Sequence, residues 1–209
     1  MMPNHRHARH TKLGTAAVLA AAIGSFPAMA ATDEGAFAVR GLGASSCADV
    51  VAALTGPEAA GASGQMASWI AGYLSHANRT TGGTFDVMPI QDIYGTATII
   101  ARICETNPDS LLEDVAASVL VLMAPYAQGD VSEMIVIEQD GQTVTIRQSA
   151  LAMVQQRLID RAALPEESAD GLYGRNTETA IRQFQAASGL AETGLPDALT
   201  VFLLLTTDA

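Results

Sequence analysis

The sequence predicts a mainly α-helical fold: two small helical domains, the first a four-helix-type domain closed by a disulfide and the second a three-helix module, joined by a β-hairpin. Three observations carry this expectation. Apolar residues recur at helical spacing along most of the chain, in runs separated by glycine and proline. Aromatics are only 5% of a chain that is 49% apolar, which points to Ala, Leu, Ile and Val cores packed between helices. A period of two appears once, in two β-prone runs flanking Asp140-Gly141.

His5, Arg6, His7, Arg9, His10 and Lys12 form a basic head, Leu13 to Phe26 an apolar run, and Pro27-Ala28-Met29-Ala30 a small-x-small cleavage pattern. Residues 1–30 therefore read as a secretory signal peptide cut after Ala30. An uncleaved anchor is the alternative, although the apolar run is shorter than the roughly 20 residues that cross a bilayer. Cleavage leaves 8 basic against 22 acidic residues, a net charge of −14 in place of −11. Every remaining base is an arginine and His76 is the last histidine. That balance argues against nucleic acid or an anionic membrane surface as partner. No later apolar stretch has spanning length, so no membrane association is expected after cleavage, and the expected location is the periplasm of a Gram-negative-type envelope.

Cys47 and Cys104 are the two cysteines. An even count in an exported chain points to a disulfide. A catalytic thiol needs a base, and His76 alone is available.

Residues 31–45, small, polar and glycine-rich, read as a flexible leader. A helical domain is expected over 46–128. Its first helix runs from Ala48 to Leu54 and stops at Gly56-Pro57. A second covers about Gln65 to Asn78, with Met66, Trp69, Ile70, Tyr73 and Leu74 on one stripe. Trp69 and Tyr73 are expected to pack in the core, the alternative being a ligand cleft. Thr80 to Thr84 break the pattern. A third helix spans about Pro89 to Glu105, and a fourth begins near Asn107-Pro108 or Asp109-Ser110 and carries Leu111, Leu112, Val115, Val119 and Leu122. Residues 129–148 are the hairpin, Met134 to Gln139 and Gln142 to Arg147 around Asp140-Gly141. It reads as a connector or, alternatively, as a sheet edge for a partner.

The second domain is expected over 149–209. One helix covers about Ser149 to Arg161. Asp170-Gly171-Leu172-Tyr173-Gly174 makes a turn that glycine permits. Asn176 or Thr177 caps a second helix, which carries Ala180, Ile181 and Phe184 and ends at Gly189. A last helix runs from Pro196 to Leu205.

Gln155-x-x-Leu158, Asp170-Gly171-x-Tyr173-Gly174, Thr177-x-x-Ala180-Ile181-x-x-Phe184-Gln185, Gly189-Leu190, Thr193-Gly194, Asp197-x-x-Thr200 and Leu204 together resemble the peptidoglycan-binding-like domain, a three-helix module. The resemblance implies peptidoglycan as partner. Peptidoglycan is rich in hydroxyls, amides and carboxylates, so the expected contacts are donors and an aromatic platform: Gln155, Tyr173, Arg175, Arg182 and Gln185.

In the first domain, Cys47 to Ala52, Thr84-Phe85-Asp86-Val87, Ile99 to Cys104, Asn107-Pro108 and Leu111 to Val115 resemble the HdeA-type periplasmic acid-stress proteins, small helical domains with one disulfide. This implies a role in interaction with unfolded or partner envelope proteins, or in acid-stress protection. Lysine, plentiful in such chaperones, is absent here.

Neither domain offers catalytic machinery. A zinc hydrolase needs several His, Asp or Glu ligands, and a Ser-His-Asp triad would have to use His76. No metal and no cofactor is expected, and the expected role is non-catalytic. The alternative is a muralytic enzyme using a carboxylate pair, or an accessory subunit of a cell-wall hydrolase.

Overall fold

The computed structural model describes residues 37–207. The expected signal peptide and residues 31–36 of the leader lie outside the described residues. From Phe37 onward the chain forms one compact unit. Among the described residues there are seven α-helices and one two-stranded antiparallel sheet. The order is α1 (Cys47–Thr55), α2 (Ala59–Thr80), α3 (Ile93–Thr106), α4 (Leu112–Met123), β1 (Met134–Gln139), β2 (Gln142–Arg147), α5 (Gln148–Asp160), α6 (Arg175–Ala187) and α7 (Ala198–Thr206). None of these helices is long and apolar enough to cross a membrane.

The end of the expected leader is ordered. Gly41–Ala44 form a 3-10 turn beneath Trp69, whose indole N–H donates to the Arg40 carbonyl at 3.2 Å. Gly43 is buried against the indole, with no room for a Cβ. Ser46 then caps α1, its hydroxyl accepting from the Asp49 N–H. The Cys47–Cys104 disulfide forms, with a Cα–Cα distance of 4.9 Å, and ties the start of α1 to the end of α3. Trp69 and Tyr73 stack with centroids 5.1 Å apart at 19°, packed against the core as expected.

Several boundaries move. Helix α2 begins at Ala59, not near Gln65, because Ala59 to Gly64 stay helical despite two glycines; the roughly 1 kcal/mol that each glycine costs is a small local preference that context overrides. Helix α3 begins at Ile93, not Pro89, where Asp92 accepts from the Tyr94 N–H. Helix α7 begins at Ala198 because Asp197 accepts from the Thr200 N–H at 2.9 Å and so defines the first turn. Helix α6 is capped by Gly174 and not by Asn176 or Thr177. Thr177 is already inside the helix, buried, with its hydroxyl engaged by Gln155. At the other end Gly189 adopts φ +68°, and Leu190 N–H reaches back to the Gln185 carbonyl, as expected of a glycine closing a helix.

The hairpin turns through Asp140 (φ 49°) and Gly141 (φ 76°), the left-handed pair of a type I′ turn. Ile137 and Ile146 face the core, while Met134, Val136, Thr143 and Thr145 face out. The hairpin touches both helical halves. On one side Arg147 lies 3.6 Å from Asp86 and over the Phe85 ring. On the other, the Gln139 amide donates to Glu178 and to the Thr193 carbonyl. Helix α7 packs directly on α3 and α4. Gly95 permits this approach, since a Cβ there would overlap the Ala198 side chain. One continuous cluster of buried apolar side chains runs from Cys47 to Leu205.

Candidate functional site

The C-terminal helices are organised by two buried glutamines. Gln155 on α5 is 1% exposed and Gln185 on α6 is 0% exposed. The Gln155 Oε1 accepts from the Gly171 N–H at 2.7 Å, and its Nε2 donates to Asp170, the Leu172 carbonyl and the Thr177 hydroxyl. Gln185 repeats the pattern on the next turn. Its Oε1 accepts from the Gly194 N–H at 2.8 Å, and its Nε2 donates to the Thr193 hydroxyl, the Leu195 carbonyl and the Thr200 hydroxyl. Each amide thus locks a turn whose glycine sits at φ near +70° and joins it to a threonine six residues further on.

The two turns are one device used twice, Gly171-Leu172 to Thr177 and Gly194-Leu195 to Thr200, and their surroundings differ. Leu195 is 2% exposed, and the helix that follows opens with Asp197 as a side-chain cap and Ala198 pressed on Gly95. Leu172 is 59% exposed, and its helix opens with Gly174, which offers no side-chain cap, followed by Arg175. The second turn is covered by the rest of the protein. The first looks outward.

A cleft of about 390 Å³ lies over the first turn, lined by Glu167, Ser168 and Asp170 together with Leu172, Tyr173, Gly174, Arg175 and Asn176. Arg175 is exposed and, among the described residues, no hydrogen bond or ion pair engages its guanidinium. The one Tyr173 O–H proton is shared between the Gly194 carbonyl at 2.8 Å and Gln139 Oε1 at 3.0 Å, which fixes the ring. Burial, with Glu178 nearby and only partly offset by Arg182, pushes this phenol up to about 12. The Leu172 N–H and the Gln155 amide hold the Asp170 carboxyl below its usual range, so it stays ionised in acid longer than a free aspartate.

Of the five residues expected to meet peptidoglycan, the structure brings Tyr173 and Arg175 to this cleft, with Gln155 beneath it. Gln155 and Gln185 correct the expectation. Their amide groups are spent inside the module, so they shape turns and have nothing left to offer a ligand. Arg182 is also committed: it bonds Glu178 at 3.1 Å, approaches Asp140 of the hairpin tip at 3.7 Å, and donates to the Glu192 carbonyl. It sits at the second turn, against Gly194. Sequence reasoning passed over Leu172, Glu167, Ser168 and Asn176. A signal existed, because aligning Gly171-Leu172…Thr177 with Gly194-Leu195…Thr200 exposes the repeat and sets Leu172 against a buried counterpart.

Among the described residues no cluster of three or more His, Cys, Asp or Glu side chains could hold a metal ion. No curated protein and no solved structure matches the chain. Residues 147–204, from the last residue of β2 into α7, match the family model described as "Putative peptidoglycan binding domain", and this match supports association with peptidoglycan.

Proposed function

We propose that this is a non-catalytic periplasmic protein held at the cell wall by its C-terminal module, with the outward-facing turn at Leu172–Arg175 as the contact surface. The observation that carries the reading is the asymmetry between the two glutamine-clamped turns: the same local construction is covered in one copy and open, with an unpaired arginine and an exposed leucine, in the other. The chemistry suits the polymer. A guanidinium pairs with the carboxylates of stem peptides, Leu172 meets the methyl groups of N-acetyl sugars and alanines, and Asn176 supplies an amide that both donates and accepts. Because Gln155 and the Tyr173 hydroxyl hold the turn from within, these groups are ordered before the ligand arrives, which lowers the entropic cost of binding.

The N-terminal half, α1–α4, serves in this reading as an HdeA-like unit for interaction with unfolded or partner envelope proteins, or for acid-stress protection. What supports it is the resemblance already described together with the Cys47–Cys104 bond. In acid, protonation of the 22 acidic residues leaves the arginines uncompensated, and repulsion among them loosens packing.

Co-sedimentation of the full mature chain with purified sacculi tests the wall-binding half, and a chain that stays in the supernatant sinks it. Light scattering of an acid-denatured client tests the protective half; aggregation unchanged by the protein removes it. Zymography on sacculi decides the catalytic alternative, since clearing that depends on a carboxylate of α1–α4 replaces the non-catalytic reading with a muralytic one.

A further inference from the structure

Both edges of the two-stranded hairpin are open, that of β2 lies beside a groove, and no part of the peptidoglycan reading uses it. In the pairing register, Gln139 faces Gln142, Ile137 faces Val144 and Ile135 faces Ile146. Pairs flanking a two-residue turn exchange hydrogen bonds, and alternate pairs do not. The Gln148 N–H donating to the Glu133 carbonyl continues the same alternation beyond the strands. The main-chain N–H and C=O of Thr143 and Thr145 therefore point away from β1, and among the described residues no backbone group meets them. Alongside runs a groove of about 380 Å³. The hairpin lines it with Thr143 to Ile146 of β2 and Met134 of β1, and the rest of the lining includes Asp92 and Pro196 to Ala198.

We propose that the free edge of β2 captures an extended, lysine- or arginine-bearing segment of another protein by strand addition. An incoming strand satisfies the outward N–H and C=O groups of Thr143 and Thr145, while the groove receives its alternate side chains. Charge selects the occupant. The groove residues include Asp92 and Asp197 and no base. Each aspartate spends Oδ1 on a helix cap, accepting from Tyr94 N–H and Thr200 N–H respectively, and keeps a second carboxylate oxygen for a cation. The same charges disfavour a second copy of this chain, since self-pairing of β2 edges would set four carboxylates together. A peptidoglycan stem, with its alternating L and D centres, does not continue a regular strand.

The test uses the full mature chain and two short synthetic peptides, one alternating lysine with valine and one alternating glutamate with valine. Amide chemical shifts and hydrogen exchange give residue-level readout. The expected result is protection of the Thr143 and Thr145 amides by the lysine peptide and none by the glutamate peptide. Thr145→Pro removes an outward N–H at an edge position, where proline is tolerated, and weakens binding about tenfold, the loss of one main-chain hydrogen bond. Asp92→Asn with Asp197→Asn keeps both caps, because asparagine caps as well as aspartate, and also weakens binding by about tenfold. Equal binding of the two peptides, an affinity indifferent to these variants, no binding of the lysine peptide, or protection of the same amides by a soluble muropeptide overturns the proposal.

Discussion

Replacing Gln155 with alanine distinguishes a residue that builds the site from one that contacts the ligand. The side chain is 1% exposed and makes four hydrogen bonds, at 2.7, 3.0, 3.0 and 3.1 Å. The bond to Asp170 counts for little, because that carboxylate is exposed and finds water when the amide leaves. The other three hold the Gly171 N–H, the Leu172 carbonyl and the Thr177 hydroxyl. At about 1 kcal/mol net for each, plus about 1–3 kcal/mol for a buried N–H left without a partner, the loss comes to about 4–6 kcal/mol. That is a large fraction of the roughly 5–15 kcal/mol that holds a domain folded, and it corresponds to a fall in Tm of roughly ten degrees. Urea denaturation followed by Trp69 fluorescence and far-ultraviolet dichroism measures it, and a lower midpoint at unchanged slope identifies a pure stability effect. Gln185→Ala, with four corresponding partners in the second turn and the Thr193 hydroxyl in place of the Asp170 carboxylate, loses a similar amount. A Gln155→Ala loss below about 1 kcal/mol, with sacculus binding abolished, would refute the assignment of the amide to the fold.

Other consequences follow from the packing. Replacing Cys47 and Cys104 with serine opens a cross-link between residues separated by 57 positions; loop entropy puts the loss at up to about 4 kcal/mol, read by denaturation with and without reductant on the parent chain. Gly95→Ala gains the helix propensity of alanine, about 1 kcal/mol, but drives a methyl into Ala198 and to 2.7 Å from the Asp92 carboxylate; overpacking of about 1–3 kcal/mol outweighs the gain, and a double-mutant cycle with Ala198→Gly returns a favourable coupling. Tyr173 titrates late, near 12 in place of 10. A phenol whose folded pKa lies above its unfolded value contributes stability that is complete below about pH 10 and is lost as pH rises toward 12; Tyr173→Phe removes that late-titrating phenolate from the absorbance curve and flattens the alkaline fall in stability.

The fold class was legible because its signals are local. The helical stripes, the Asp140-Gly141 turn and Gly189 each announce their structure within a few residues. What stayed hidden depends on contacts far along the chain. The order of Gly41–Ala44 comes from Trp69 above them, and the helicity of Ala59 to Gly64 belongs to a helix held by α1 and α3. The site was legible by chemistry and not by exposure. Gln155, Gln185 and Arg182 have the right functional groups for a glycan, yet α-helical position alone does not say that two of them point inward and the third is tied to Asp140, Glu178 and the Glu192 carbonyl. Leu172 drew no expectation beyond its place in a turn, because nothing local in the sequence says that this apolar side chain is exposed.

In the proposed function the open turn at Leu172–Arg175 reads the wall. Binding of the mature chain to purified sacculi, measured beside the double variant Leu172→Ser with Arg175→Ala, tests it most directly, because both side chains are exposed and neither contributes to the internal clamp. The expected result is retention of the parent chain and at least about a tenfold loss in the variant, with stabilities within about 0.5 kcal/mol of each other as expected for surface changes. Equal retention of parent and variant at equal stability contradicts it.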